Sequence, residues 1–275
     1  MKVFVYGTLL KSMSRFGLLA DSQFMGHGFI RGVLYDLGNY PAIKDGNSLV
    51  YGELYGIGRE KLIELDSIEG YYPEDEHHSL YMRKEADITL LNDGSREKAY
   101  TYFYNHNLDD YQQIAHGDYR RYKIEDLSDR QWYVAYGSNM SLERLHERIG
   151  ETHEIRTGHM EGYKLMFNKI SDRGGTYANI AYAGSGYRCP FAAYAISTEQ
   201  LYQLDRYEGE PSHYVRIGLP FSDLTGESSH IGHVYIANPD KLARAENPSH
   251  GYLKYLHIGY EEHGFDRSSL PKSET

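Results

Sequence analysis

Trp132-Tyr133-Val134-Ala135-Tyr136-Gly137-Ser138-Asn139-Met140 decides the fold of this chain, because a shorter version, Val3-Phe4-Val5-Tyr6-Gly7-Thr8-Leu9, stands 130 residues earlier. Each is an aromatic and β-branched run that stops at glycine and a small hydroxyl residue, the pattern of a strand entering a tight loop. A second string is duplicated in the same order, as Leu65-Asp66-Ser67-Ile68-Glu69-Gly70 and Leu204-Asp205-Arg206-Tyr207-Glu208-Gly209, with an offset of 139 residues. Tyr81-Met82-Arg83 and Tyr214-Val215-Arg216 follow, each opening a predicted strand. Strings repeated in one order mean a duplicated domain, and each copy carries a full set.

A chain of 275 residues suits two domains of roughly 130 residues with separate cores. Period-two alternation predicts strands over 3–6, 28–35, 49–57, 81–91 and 98–104, with a helix over 59–68. Turn signals at Lys44-Asp45-Gly46-Asn47 and Asn92-Asp93-Gly94-Ser95 separate them. The second half repeats the plan, with strands over 133–136, 159–168, 179–183, 190–196, 214–220 and 230–237 and a helix over 198–207. The expected class is α+β, with a mixed, mostly antiparallel sheet in each domain. Residues 105–129 are polar and aperiodic, which places the boundary at Asp129 and the domains at 1–129 and 130–275. The polar tail from Phe265 is expected to fray.

Composition removes several functions. No apolar run approaches the roughly 18 to 20 residues of a membrane span, and the start of the chain is too short for a signal peptide's apolar core. The single cysteine, Cys189, excludes an intramolecular disulfide and fits a reducing compartment, so a cytoplasmic location is expected. A net charge of −10 opposes phosphate-backbone binding, and no nucleic-acid partner is expected. The 28 tyrosines are read as strand packing, Cys189 before Pro190 as core, and His230-X-X-His233 as two faces of one strand rather than a metal pair.

The chemistry points to the glutamates. Leu62, Leu65 and Glu69 are spaced i, i+3, i+7, as are Leu201, Leu204 and Glu208, which puts both carboxylates on a buried stripe. Lost hydration and the negative end of a helix dipole both disfavour a charged carboxylate there. Ser197 with Gln200 forms a capping-box pattern at the start of the second helix, and Gly209 suits its end. Pairing of each glutamate with Arg83 or Arg216 is the competing structural explanation. The Tyr-Gly-(Ser/Thr) loop brings backbone N–H groups close to an anion, either the substrate's charged end or a developing oxyanion, and a helix beginning near Ser141 would strengthen that field.

With these residues in hand, the chain resembles the γ-glutamylcyclotransferase-like family over most of its length. Domain two is similar to a γ-glutamylcyclotransferase proper through Val134-Ala135-Tyr136-Gly137-Ser138-Asn139-Met140 and Asp205-Arg206-Tyr207-Glu208-Gly209, and also from Asn247-Pro248-Ser249 to His263-Gly264-Phe265. Domain one, with Val5-Tyr6-Gly7-Thr8-Leu9, Glu69 and His116-Gly117-Asp118-Tyr119-Arg120, looks more like the γ-glutamylamine cyclotransferase branch. The resemblance implies a small β-barrel with flanking helices in each domain and a small-molecule γ-glutamyl substrate that yields 5-oxoproline. It implies no metal or organic cofactor.

The resemblance makes Glu208 and Glu69 the catalytic residues. Substrate would be held by Tyr136, Gly137, Ser138, Asn139 and Met140, and by Tyr6, Gly7, Thr8 and Leu9. Tyr214 and Tyr81 complete the substrate-binding set, with Tyr214 equally well read as a packed strand residue. Twelve residues separate Glu69 from Tyr81, but only six separate Glu208 from Tyr214. The extra segment includes Glu74-Asp75-Glu76-His77-His78 and makes domain two the expected principal site. A module that binds an amino-acid-like ligand without turning it over stays open as the alternative, as does the leaving amine.

Overall fold

The computed structural model describes residues 1–125, 127–171, 174–226 and 229–271. The part of the expected frayed tail at 272–275 therefore lies outside the described residues. The chain divides into two compact units, Met1–Tyr122 and Lys123–Thr275, earlier than the expected Asp129. The polar stretch before Asp129 is not all linker, because it folds as a short helix.

The first unit contains β1 (Lys2–Val5), β2 (Gln23–Asp36), β3 (Pro41–Gly56), α1 (Arg59–Ile68), β4 (Tyr81–Leu90), β5 (Arg96–Tyr104) and β6 (Gln112–Gln113), and α2 (Tyr119–Glu125) begins in it. Its strands run in the order β3-β1-β5-β4-β2, and β2 also pairs with β3, so the sheet closes into a five-stranded barrel. Only β1 and β5 pair in parallel; the other barrel pairings are antiparallel. Alternating residues such as Val3, Ile30, Leu34 and Ile88 fill the interior, where Leu62 and Leu65 of α1 join the same core. The expected turn at Lys44–Asn47 lies inside β3. Val33 pairs with Lys44 and Arg31 with Leu49, so residues 45–48 bulge out opposite Gly32 while the strand continues.

The second unit contains β7 (Arg130–Ala135), α3 (Leu142–Ile149), β8 (Ile155–Glu161), β9 (Tyr163–Ile170), β10 (Thr176–Tyr182), β11 (Arg188–Ser197), α4 (Thr198–Glu208), β12 (Tyr214–Ser222), β13 (Ser229–Ala237) and α5 (His250–Glu262). Five strands follow the order β12-β13-β7-β11-β8, with β7 and β13 parallel as β1 and β5 are, and β9 with β10 forms a separate pair. The single strand expected over 159–168 is broken at Gly162, whose φ of 85° no side-chain-bearing residue adopts comfortably. Edge strands β8 and β12 share no ladder, although beyond β12 the Leu224 N–H donates to Thr157 O across 3.0 Å. Both units therefore carry one α+β plan, closed by a ladder in the first and more open in the second.

Candidate active sites

The duplicated strings converge on one buried framework in each unit. In the first, Arg83 pairs with Asp66, Tyr102 donates to Asp66 at 2.9 Å, and Tyr6 donates to Tyr102 O at 2.6 Å. In the second, Arg216 forms a two-point pair with Asp205 (2.7 and 2.9 Å), Tyr235 donates to Asp205 at 2.7 Å, and Tyr136 donates to Tyr235 O. The arginines thus belong to the aspartates of the Leu-Asp-X-X-Glu-Gly strings, not to the glutamates. A fork-shaped guanidinium on a carboxylate fixes the helix end against the sheet. Each glutamate, three residues later, is left to face the cavity.

Glu69 caps α1, and Gly70 takes a φ of 63° immediately after it. Its carboxylate lines a cavity of about 220 Å³ with Tyr6, Gly7, Thr8, Leu9 and Tyr81, so every candidate of the first domain meets at one place. Arg15, Tyr40 and Pro41 complete the polar and loop side. Burial pushes the Glu69 carboxyl up to about 7, opposed only in part by the Arg15 charge. Among the described residues nothing hydrogen-bonds this carboxylate, and the N–H groups of Gly7, Thr8 and Leu9 donate to nothing. Glycine is required at position 7, since a Cβ there would stand 2.5 Å from Pro41 Cγ.

Glu208 ends α4, whose start carries the expected capping box between Ser197 and Gln200 and whose end is the left-handed Gly209. Here the carboxylate is engaged. Glu208 Oε1 accepts from Asn139 Nδ2 at 2.9 Å and from Arg148 Nη1 at 2.8 Å, and Arg148 also donates to Asn139 Oδ1 at 2.9 Å. Two cavities meet at Glu208. One, of about 30 Å³, holds Tyr136, Gly137, Ser138 and Asn139; the other, of about 410 Å³, is lined by Arg144, Arg148, Lys169 and Arg206 among others. Ser138, Glu208, Tyr214 and Tyr252 line both.

The expectation for Met140 needs correction, and the open reading of the strand tyrosines is narrowed. Met140 lines neither cavity; its side chain is fully buried behind the loop, and its carbonyl accepts from Tyr194 Oη at 2.8 Å. Tyr214 and Tyr81 line their cavities, but each hydroxyl already donates to a carbonyl, Ala178 O at 2.7 Å and Pro41 O at 2.8 Å, because a buried phenol needs a partner. Arg148 and Tyr252 were missed altogether, since neither lies in a duplicated string. Arg144 and Arg148 stand four residues apart on α3, and that spacing was the available signal of a shared face.

The acidic segment after Glu69 does not line the first cavity. Leu80 N donates to Gly70 O at 2.9 Å, as His213 N donates to Gly209 O at 2.8 Å, so residues 71–79 leave and re-enter at one neck. Asp75 and His78 pair with each other at the exposed tip. Cys189 lies fully buried in β11, where burial pushes its thiol up to about 12. Among the described residues no helix is long and apolar enough to cross a membrane.

The family described as Gamma-glutamyl cyclotransferase, AIG2-like matches residues 3–121 and 133–254. A Gamma-L-glutamyl-butirosin B gamma-glutamyl cyclotransferase of Niallia circulans is 30% identical over 128 residues, 46% of this chain and 80% of the relative. The gamma-glutamylcyclotransferase family protein YtfP of Escherichia coli (strain K12) is 38% identical over 69 residues, 25% of this chain and 61% of that protein. Among solved structures, YkqA of Bacillus subtilis has a TM-score of 0.74 at 22% identity, covering 95% of this chain and 91% of that one, a likeness of fold.

Proposed function

The chain belongs to the Gamma-glutamyl cyclotransferase, AIG2-like family in both of its halves, and on that premise we propose that it releases 5-oxoproline from γ-glutamyl amines at two separate sites. Glu69 and Glu208 are the acid–base groups of these sites. The observation that carries this reading is the Glu69 carboxylate, raised to about 7, without a hydrogen-bond partner among the described residues and in one cavity with a Tyr-Gly loop whose N–H groups are unengaged.

A substrate α-ammonium titrates at roughly 8, so most of it must lose a proton before it can attack. Glu69, partly ionised at neutral pH, accepts that proton. The freed amine attacks the γ-carbonyl carbon of its own molecule, and the new C–N bond closes a five-membered ring. The bond from that carbon to the leaving nitrogen breaks as Glu69 returns the proton to that nitrogen, and the second proton, shed by the ring nitrogen as it becomes an amide, passes through Glu69 to the released amine. Holding the folded conformer supplies an intramolecular advantage on the order of 10⁵ M or more in effective concentration. Backbone N–H groups of Gly7, Thr8 and Leu9 receive the substrate's negative charge, with Tyr6 and Tyr81 as walls. Gly137, Ser138 and Asn139 serve the second site in the same way, between Tyr136 and Tyr214.

The test is 5-oxoproline release from γ-glutamyl-alanine and γ-glutamyl-ε-lysine by the wild-type chain, Glu69→Gln, Glu208→Gln and the double variant. The amide is nearly isosteric and cannot accept the proton, so the double variant loses about 10² to 10⁴ in rate. Full turnover by a folded double variant would remove the carboxylates from the mechanism. Saturable binding of the substrates without any 5-oxoproline would mark a ligand-binding module instead.

A further inference from the structure

We propose that Glu53 and Arg120 are positioning residues of the first site: together they hold the backbone of Lys11 and thereby fix the loop at 7–10 in its substrate-receiving shape. The inference rests on the reading of Gly7, Thr8 and Leu9 as the groups that meet the substrate's negative charge.

The string His116-Gly117-Asp118-Tyr119-Arg120 lines no part of the first cavity, yet its last four residues serve to deliver one guanidinium. Gly117, at a φ of 70°, lies so close to β3 that a Cβ would stand 1.9 Å from Leu49 O, and its carbonyl accepts from Tyr51 N at 2.9 Å. Asp118 Oδ1 accepts from Arg121 N at 3.1 Å at the start of α2, and Tyr119 packs into the barrel core. Arg120 follows and is fully buried. Its Nη1 donates to Glu53 Oε1 at 2.6 Å and to Lys11 O at 3.2 Å. Glu53, equally buried in β3, accepts on Oε2 from Lys11 N at 2.9 Å and from Tyr55 Oη at 2.8 Å. The two partners of one buried ion pair therefore hold the carbonyl and the N–H of a single residue just past Leu9.

Stability alone does not explain the pair. A buried ion pair is commonly no more stabilising than apolar residues of the same volume, and the second unit does without one: Val5 stands in register with Glu53, whereas its counterpart Ala135 stands in register with Ala192. What both units keep is a tie just past the loop. In the second, Met140 O accepts from Tyr194 Oη at 2.8 Å and from His263 Nε2 at 2.9 Å, and Leu142 N donates to Glu262 at 2.9 Å. Equivalent loops are thus held from unrelated helices, α2 in one unit and the end of α5 in the other. In the first unit the tied segment also sets the cavity's arginine. Leu10 N closes the turn on Gly7 O at 3.0 Å, and Arg15 N donates to Thr8 O at 2.9 Å, so the donors and Arg15 share one piece of backbone. Lys11 is exposed, and once released its backbone groups can turn to water. Only a fraction of molecules would then present the loop in place, and apparent affinity falls by that fraction.

The experiment uses the full chain carrying Glu208→Gln, so that only the first site reports, with γ-glutamyl-methylamide as substrate. Adding Arg120→Met should raise KM about tenfold, the worth of one charge-assisted hydrogen bond, while kcat stays within a few-fold because bound substrate reassembles the loop. Loss of folded chain has the opposite signature, a lower kcat at unchanged KM. Arg120→Lys should return KM most of the way to the parent value, since one nitrogen serves both acceptors and an ammonium can take its place. Should Arg120→Met fail to fold, Glu53→Leu combined with it leaves no unpaired buried charge, and the same rise in KM is expected. A folded variant of either kind with the parent KM overturns the inference, as does a fall in kcat alone, and both leave the cyclotransferase reading intact. Absence of 5-oxoproline from the Glu208→Gln parent and from the wild-type chain overturns both.

Discussion

Glu69 and Glu208 occupy equivalent positions yet answer to different neighbours, and one residue of the preceding loop accounts for much of the difference. Among the described residues Leu9 leaves Glu69 without a donor, whereas Asn139 holds Glu208 and Arg148 together. In a Glu208→Gln background, kcat/KM should therefore rise with pH and level off above about 7, since only ionised Glu69 accepts a proton. A flat profile between pH 5 and pH 8 would count against Glu69 as the base. The same shift is a stability statement. A carboxyl raised from 4.5 to about 7 contributes stability that is complete below its unfolded value and is lost as pH rises through the folded value. Wild-type stability should thus fall by as much as about 3 kcal/mol between pH 4.5 and pH 7.5, and Glu69→Gln should remove that decline in denaturant titrations. The aspartates predict differently. Asp205→Ala strands the fully buried Arg216 guanidinium, leaving it Glu125 and His233, and should cost about 3 to 5 kcal/mol.

At the scale of elements, the extra segment after Glu69 is an excursion rather than a wall. The neck between Gly70 and Leu80 matches that between Gly209 and His213, so α1 and β4 meet as α4 and β12 do despite the longer connection. Replacing residues 72–79 with the Pro-Ser pair found at 211–212 should therefore keep kcat/KM of the first site within a few-fold of wild type. A folded variant that loses more than tenfold, measured with Glu208→Gln in place, would give the acidic segment a direct role. This neck was not legible in the sequence, because spacing counts residues and not where the chain re-enters. What repeats was legible: the Tyr-Gly loop, the glutamate and the Tyr-X-Arg strand come together in each unit because each is fixed by local pattern. Features set by an unrepeated partner were not. Nothing in 204–209 announces that Arg148 of α3 reaches Glu208. The Lys44–Asn47 turn signal is locally sound, yet pairing with β2 on both sides of it carries the strand through. Asp66 and Asp205 recur in the same strings as the glutamates, yet the arginines were offered to the glutamates, because spacing alone does not say which of two carboxylates three residues apart faces the next strand.

For the whole molecule, duplication has kept one arrangement of loop, glutamate and Asp–Arg pair and changed the residues that line the cavity beside it. Each unit supplies its own loop, glutamate, buried Asp–Arg pair and cavity from its own residues, so neither site needs a side chain from the other. Independent sites make additive rates. For any γ-glutamyl substrate, kcat/KM of the wild-type chain should equal the sum of the values for Glu69→Gln and Glu208→Gln within error. The split between the two terms should move with the leaving group. A neutral or cationic amine meets one arginine in the first cavity and a cation-lined wall in the second, so its turnover should vanish mainly with Glu69→Gln. This reverses the order that the short Glu208–Tyr214 spacing suggested, which rested on the assumption that the longer connection disturbs the first pocket. If Glu208→Gln instead abolishes turnover of γ-glutamyl-methylamide while Glu69→Gln spares it, the second unit carries the general activity and the open carboxylate of the first is not its base. A sum well below the wild-type value, with both single variants folded, would mean that the two units are coupled and that duplication created one enzyme rather than two.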